Sequence, residues 1–124
     1  MTIYHGTNKE TAERVFSEKM LLSENSKGVS ICLTIEQALK HATEKCTKDG
    51  SDSKKMGRVL VIENITSRIL NTASKDDRPE TFTLNDELGQ PANILHLQRV
   101  KVIGIKEAEY LYAMGHNEFK EEVA

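Results

Sequence analysis

The apolar run Val59-Leu60-Val61-Ile62, flanked by Arg58 and Glu63, is the feature of this sequence that most limits the fold. β-Branched side chains favour strands, and consecutive apolar residues are typical of a strand whose two faces are both covered. The run therefore predicts a buried strand at 58–63. At 124 residues the chain can enclose such a strand in a single core, so we expect one domain at 1–124.

Residues 3–8 place a histidine and a hydroxyl group where a predicted strand meets a predicted helix. The first two residues are apolar and aromatic, which suits a half-buried strand, while Gly6 permits a tight turn. Thr7 or Asn8 can cap the helix that follows. His5 is then expected at the edge of the strand, facing a cleft. A lone histidine is more often bonded to a nearby loop than functional, so its spacing alone favours a structural role.

Hydrophobic periodicity predicts the other elements. Apolar residues recur at helical spacing from Lys9 to Leu22, and the alternation at Val29–Thr34 is typical of a strand. Thr34 with Gln37 matches a capping box at the start of a second helix. The remaining predicted elements are a helical turn at 65–70, strands at 93–98 and 100–105 that are joined tightly or through a bulge near Arg99, and a helix from 106 to 115, after which the last residues are expected to fray.

Two polar segments are predicted to be mobile loops. Residues 47–57 are rich in Lys, Asp, Ser and Gly and contain almost no apolar side chain. Residues 71–90 form a long polar connection that Phe82 and Leu84 could anchor, and its charged part, 75–80, is more typical of disorder. Because long connections inside small domains are often functional, 71–90 is also a candidate substrate-facing loop.

Charge and cysteine content limit the classes of partner. A formal net charge of −2 argues against a phosphate-backbone binder, although a local basic groove is compatible with it. Cys32 and Cys46 are too few and too far apart for a zinc site or a redox pair, which favours a reduced intracellular protein without a metal. No apolar run is long enough to span a bilayer, and the N-terminus does not read as a signal peptide. We therefore expect a soluble cytoplasmic protein that does not contact membranes.

One face of the predicted strand at 29–34 carries small polar groups. Because side chains alternate along a strand, Ser30, Cys32 and Thr34 share a face opposite the apolar residues. This face could form the wall of a ligand site, or it could be an exposed or hydroxyl-paired surface. For Cys32 a small buried hydrophobic residue is favoured over a catalytic thiol, because no basic partner is evident in the sequence.

These elements and motifs together are similar to a known family. Tyr4-His5-Gly6-Thr7 on the first strand, followed by Gly28 through Thr34 and then by Ala38 and Ala42, resembles the ADP-ribosyltransferase family in its histidine-led branch, which includes diphtheria toxin and the poly(ADP-ribose) polymerases. The resemblance spans Ile3 to Ile105. It implies an α+β fold with a split β-sheet core flanked by short helices, and NAD as co-substrate.

The resemblance also implies roles for the first motif residues. His5 would hydrogen-bond the ribose of NAD, and the backbone of Gly6 would bind the nicotinamide amide, which an exposed backbone can do where no side chain intervenes. The tyrosine that stacks on nicotinamide in this family is absent, and Ser30 or Cys32 stands in its place. The residues implied to contact the cofactor are His5, Gly6, Thr7, Ser30, Cys32 and Thr34.

The family's catalytic glutamate, at the start of a late strand, has no direct counterpart. Asn93, or otherwise Ala92, stands at that position, with Gln90 facing the acceptor and Glu87 upstream in the loop. An amide can hydrogen-bond a ribose hydroxyl but cannot supply the negative charge that stabilises a developing cation. Some members of the family lack the glutamate and are thought to use the substrate's own carboxylate. Movement of Glu87 into the site is another route.

The function implied by this resemblance is mono-ADP-ribosylation of a macromolecule, which is a protein or a nucleic acid, with a protein favoured. The biological class implied is an effector, a toxin or a phage-type modifier of host proteins. The alternative is a catalytically degenerate binding module that acts through protein–protein contacts. A third class, an NAD glycohydrolase or a relative of RNA-processing phosphotransferases, calls for further basic residues in the pocket, for which Lys27, Arg58 and Arg99 are the candidates.

Overall fold

The computed structural model describes residues 1–24 and 26–115, so the fraying expected after Gly115 lies outside the described residues. In these ranges the strands are β1 (Ile3–Asn8), β2 (Met20–Leu22), β3 (Ser30–Cys32), β4 (Gly57–Glu63), β5 (Ser74–Lys75), β6 (Thr81–Thr83), β7 (Ile94–His96) and β8 (Arg99–Gly104). The helices are α1 (Lys9–Glu18), α2 (Ile35–Lys48), α3 (Ser53–Met56), α4 (Arg68–Asn71) and α5 (Ile105–Ala113). No helix in this part of the chain is long and apolar enough to cross a membrane.

The strands form two antiparallel sheets. The larger sheet has six strands in the order β5-β6-β3-β1-β4-β8, and the smaller one pairs β2 with β7. The mixed α+β class that the sequence predicts is therefore confirmed. Because β1 lies between β3 and β4 in the large sheet, the strand that carries the histidine motif has a neighbour on both sides.

Strand β4 is buried on both faces, as its apolar run predicts. Leu60 and Ile62 belong to the core cluster that contains Ile3 and Ile31, whereas Val59 belongs to a second cluster on the opposite face of the sheet. β4 pairs with β1 along the whole length of β1 and with β8 on its other edge. The sheet is thus covered on both sides, which accounts for the non-alternating apolar run.

Helix α2 packs directly on β1 at Gly6. A Cβ atom added to Gly6 would lie 1.9 Å from the carbonyl oxygen of Ala38 and 2.6 Å from the amide nitrogen of Ala42. Both alanines are fully buried. The expected tight turn at Gly6 is wrong, because this residue lies inside β1 and pairs with Val59. The physical reason for glycine here is the close approach of a helix backbone.

The predicted helix at 9–22 is shorter than expected. α1 ends at Glu18, and Lys19 adopts a left-handed conformation (φ 56°) in which its amide donates to the carbonyl of Val15. The chain then enters β2, whose Leu21 pairs with Leu95 of β7. A stretch of apolar residues this short fits the period of a helix as well as that of a strand. Pairing with β7, which is distant in sequence, makes it a strand.

The loop predictions at 47–57 and 71–90 are partly wrong. α2 continues to Lys48, and α3 and the first residue of β4 occupy all of 53–57. The second segment contains β5 and β6, and Ile31 of β3 pairs with Phe82 of β6. The expected anchoring is confirmed, since Leu84 is buried and Phe82 packs against the main core.

The two late strands belong to different sheets. β7 pairs with β2, whereas β8 pairs with β4 and begins at Arg99, opposite Glu63. The predicted strand at 93–98 is therefore shorter and does not continue into its neighbour. The helical turn at 65–70 and the helix from 106 are confirmed in substance by α4 and α5.

Side-chain caps begin two helices where the sequence places them. The side chain of Asn8, rather than that of Thr7, accepts from the amide of Thr11 at 2.9 Å at the start of α1. Thr34 accepts from the amide of Gln37 at 3.3 Å at the start of α2. These caps satisfy backbone donors that would otherwise lack partners.

Candidate functional site

An open cavity of about 900 Å³ lies beside the first residues of the histidine motif. Its wall is built from β1, the cavity-facing side of α2, the connection between β2 and β3, and the turn between β5 and β6. Among the residues that line it are His5, Gly6, Glu24, Lys27, Ser30, His41, Glu44, Lys45, Lys48, Asp49, Asp76 and Arg78. Its size is in the range of pockets that hold small molecules and cofactors.

His5 is fixed in one tautomer by β3. Its Nδ1 atom lies 2.8 Å from the carbonyl oxygen of Ser30, and because a carbonyl can only accept, Nδ1 donates. Burial lowers the pKa of His5, against the opposing effect of the Ser30 hydrogen bond, so the ring is neutral near pH 7. The remaining ring nitrogen, Nε2, is then unprotonated. A group of this kind on a cavity wall accepts a hydrogen bond from a hydroxyl.

A second histidine, His41, lies on α2 in the same wall. Its Nδ1 atom is 3.2 Å from the sulfur of Cys32, and its Nε2 atom is buried without a hydrogen-bond partner among the described residues. Burial, with a smaller contribution from the positive charge of Arg78, lowers the pKa of His41 to about 4. His41 is therefore neutral at pH 7.

A charged pair closes the side of the cavity formed by the β5–β6 turn. The carboxylate of Asp76 accepts from Nε of Arg78 at 3.1 Å and from its Nη2 at 3.0 Å. The hydrogen bond with the Arg78 side chain is the main cause that lowers the pKa of Asp76 to about 2, and the same pair raises the pKa of Arg78. Both groups are ionised at any physiological pH.

The positive and negative charges of the described residues around the cavity are equal in number. Among the residues that the structure describes, four basic and four acidic residues line it. Lys45 of α2 forms an ion pair with Glu24 of the β2–β3 connection, which links the helix to that connection. Asp49 accepts from the side-chain amide of Asn8 at 3.1 Å. A cavity with this charge balance suits a ligand that carries few charges better than a polyanion.

The structure brings three of the expected cofactor residues together. His5, Gly6 and Ser30 all line the cavity. Thr7, Cys32 and Thr34 are not among its lining residues. Thr7 is fully buried in β1 and its hydroxyl lacks a partner in the described residues, Cys32 lies behind His41, and Thr34 caps α2.

The residues expected to face the acceptor lie elsewhere. Asn93, Glu87 and Gln90 are exposed and do not line the cavity. Gln90 closes a turn with Asp86, whose amide donates to the Gln90 carbonyl at 2.7 Å. The carbonyl of Asn93 accepts from the amide of Ser23 at 2.9 Å, which joins the two small strands.

Of the basic candidates named from the sequence, one reaches the cavity. Lys27 lines it, whereas Arg58 and Arg99 do not. Arg58 donates to the carbonyls of Lys55 and Gly57 at 2.8 and 2.7 Å. Its guanidinium therefore stabilises the entry into β4.

Sequence reasoning missed eight titratable residues of the described wall: Glu24, His41, Glu44, Lys45, Lys48, Asp49, Asp76 and Arg78. A signal existed for the four on α2, because positions 41, 44, 45 and 48 share one polar face of an amphipathic helix. Asp76 and Arg78 lie in the segment 71–90, which the sequence marks as a candidate substrate-facing loop, but the composition of 75–80 indicated disorder and singled out neither residue. Pairing of β6 with β3 brings them to the site.

Comparison with protein families, with curated proteins and with solved structures finds no match to this chain. Within residues 1–24 and 26–115, no three His, Cys, Asp or Glu side chains are grouped so that they could hold a metal ion. The class of protein must therefore be inferred from the fold and from the chemistry of the cavity.

Proposed function

We propose that this protein is an NAD-dependent mono-ADP-ribosyltransferase that modifies a macromolecular target, with an ADP-ribosyltransferase-like fold. The observation that carries the proposal is the tautomer of His5. Its Nδ1 is occupied by the Ser30 carbonyl, and the neutral ring therefore presents an unprotonated Nε2 on the wall of a cavity of about 900 Å³. A ribose hydroxyl can donate a hydrogen bond to this nitrogen.

The cavity residues fit NAD as a substrate. His5 would accept from a ribose hydroxyl, and Gly6, next to it in β1, would offer its backbone to the nicotinamide amide. In the reaction, the bond between nicotinamide and the ribose breaks, and the ribose carbon bonds to a nucleophile of the target, which loses a proton. The wall around His5 orients the ribose for this displacement.

A carboxylate is needed where positive charge develops on the ribose. Asp76 is bonded to Arg78, Glu24 to Lys45, and Asp49 to Asn8. Glu44 is the remaining carboxylate among the described residues of the cavity wall, and its charge acts on both His41 and Arg78. We assign the stabilising role to Glu44, with Glu87 of the exposed turn as the competing candidate.

The target is proposed to be a protein, because the balanced charges of the described cavity wall and the net charge of −2 do not favour binding of a nucleic-acid backbone. An effector, toxin or phage-type modifier of host proteins is the biological class that suits this activity. The cytoplasm, where NAD is available to such an enzyme, is the proposed compartment.

The test is release of nicotinamide from NAD in the presence of host-cell lysate. Wild type should release nicotinamide and transfer labelled ADP-ribose to a protein band, and His5→Ala should lower the rate by about 100-fold or more. His96→Ala, at an exposed position in β7, is the matched control and should leave the rate unchanged. An inert wild type that also fails to bind NAD by calorimetry would contradict the proposal.

A binding module without catalysis is the second candidate. The observation that favours it is the location of Asn93, Glu87 and Gln90 outside the cavity. This candidate predicts that wild type and His5→Ala capture the same protein from lysate without transferring ADP-ribose. Loss of capture in His5→Ala, together with NAD turnover by wild type, would exclude it.

A further inference from the structure

The turn between β5 and β6 holds Arg78 in a fixed orientation. Asp76 accepts from the backbone amide of Arg78 at 2.9 Å as well as from two nitrogens of its side chain. The ammonium of Lys75 donates to the carbonyls of Asp76 and Arg78, each at 2.9 Å. Asp76 thus holds the edge of the guanidinium group formed by Nε and Nη2, and Lys75 holds the backbone of the turn, so the orientation of the guanidinium is set before any ligand arrives.

Asp76 engages only some of the N–H donors of Arg78, and Arg78 lines the cavity. A guanidinium has five N–H groups, and Asp76 engages Nε and one hydrogen of Nη2. Nη1 has no hydrogen-bond partner among the described residues, and the Arg78 side chain is 43% exposed. Arg78 also contributes to lowering the pKa of both His5 and His41, so its charge acts on the same region of the cavity.

We propose that Arg78, oriented by Asp76, binds the diphosphate of a dinucleotide in the cavity that His5 lines. This assignment rests on the proposed function, because it takes NAD as the ligand whose ribose His5 accepts. Arg78 is the binding residue and Asp76 is a positioning residue. A planar fork with free N–H groups matches the geometry of phosphate oxygens, which a lysine at this position would not reproduce.

The charges around Arg78 favour a small anion over a polyanion. His41 on α2 interacts with Arg78 as a neutral ring, and Glu44 on α2 contributes a negative charge to the environment of Arg78. Lys45 is already paired with Glu24. A diphosphate needs only a few donors, whereas an RNA strand would meet as many acidic as basic groups along this wall.

Calorimetry with NAD, ADP-ribose, inorganic pyrophosphate and nicotinamide riboside tests the assignment. We expect Arg78→Gln to weaken NAD and ADP-ribose binding by about 10- to 100-fold and to leave nicotinamide riboside unchanged, because that ligand has no diphosphate. Arg78→Lys should recover part of the loss. Arg99→Gln, on β8 at the opposite edge of the sheet, removes the same charge and should have no effect.

Asp76→Asn gives the readout for positioning. Asp76→Asn should weaken NAD binding less than Arg78→Gln does. The Kd for NAD should still depend on salt concentration in Asp76→Asn, because the cation remains. In Arg78→Gln this salt dependence should be smaller, because the cation is lost. Thermal unfolding of each variant checks that the fold is retained. If Asp76→Asn abolishes the salt dependence while Arg78→Gln keeps it, the assigned roles are wrong.

The outcomes separate this assignment from the proposed function. If NAD binds with dependence on His5 but Arg78→Gln binds it normally, the diphosphate assignment fails and the function stands. If wild type binds pyrophosphate through Arg78 but not NAD, the function fails and the anion site stands. If the wild type binds neither NAD nor pyrophosphate, both the proposed function and the diphosphate assignment are wrong. If it binds a single-stranded RNA oligonucleotide but neither of these ligands, the choice of a dinucleotide is wrong.

Discussion

The sulfur of Cys32 lies 3.2 Å from Nδ1 of His41, across the contact between β3 and α2. His41 is therefore an imidazole partner of Cys32, which the sequence alone did not reveal. Burial nevertheless raises the pKa of the thiol to about 11, and Cys32 is only 1% exposed. A nucleophilic cysteine needs an accessible thiolate. The contact thus stabilises the packing of the helix on the sheet, and Cys32 remains the small buried residue that the sequence favours.

The first prediction concerns thiol reactivity. Cys32 should react with iodoacetamide at pH 8 at least about 100-fold more slowly in the folded protein than in guanidinium chloride, because its pKa is raised from 9.0 to about 11 and its sulfur is buried. Mass spectrometry of labelled peptides measures both rates. Fast labelling of Cys32 in native buffer would show that the thiol is exposed and would reopen a catalytic role.

The second prediction concerns acid stability. The pKa of His41 is lowered from 6.5 to about 4, so between these pH values the unfolded chain binds a proton that the folded chain does not. The free energy of unfolding should therefore be constant above pH 6.5 and fall as the pH decreases towards 4, by about 1–2 kcal/mol for this partly exposed group. His5 contributes in the same direction, because its pKa is also lowered.

Urea unfolding at several pH values measures this dependence. His41→Gln should be less sensitive to pH than wild type between pH 6.5 and 4, and His96→Gln, at an exposed position, should match wild type. An identical pH dependence in wild type and His41→Gln would show that His41 titrates normally.

The third prediction concerns the contact of α2 with β1. Gly6→Ala should lower the free energy of unfolding by about 3 kcal/mol, because the new methyl group would lie 1.9 Å from the carbonyl oxygen of Ala38, which is backbone and cannot rotate away. Gly104→Ala is the matched control, since nothing lies within 4 Å of its added Cβ. Equal stability of the two variants would mean that α2 does not pack on β1 as described.

The fourth prediction separates the two candidate carboxylates. Under the proposed function, Glu44→Gln should lower nicotinamide release by about 100-fold with little change in NAD affinity, because the charge matters where a cation develops. Glu87→Gln should leave the rate unchanged, since Glu87 is exposed outside the cavity. The reverse pattern would assign the role to Glu87 and would require its turn to move to the site.

Local patterns in the sequence determined several parts of this protein. The apolar run of β4, the caps at Asn8 and Thr34, and the assignment of His5 to the first strand all depend on neighbouring residues, and the structure confirms them. The expected position of His5 at the edge of that strand is wrong, because β1 continues to Asn8 and His5 pairs with Leu60 inside it. Hydrophobic periodicity and capping chemistry act over a few residues, which is why they can be read without knowing the fold.

Tertiary structure alone decided what surrounds His5. The bond from its ring to the Ser30 carbonyl spans 25 positions, and pairing of β6 with β3 carries the Asp76–Arg78 pair to the cavity from a segment whose composition indicated disorder. Gly6 takes its role from the backbone of α2, which lies more than 30 positions away. Such contacts join residues that no local period links, so strand pairing and helix packing settled the site.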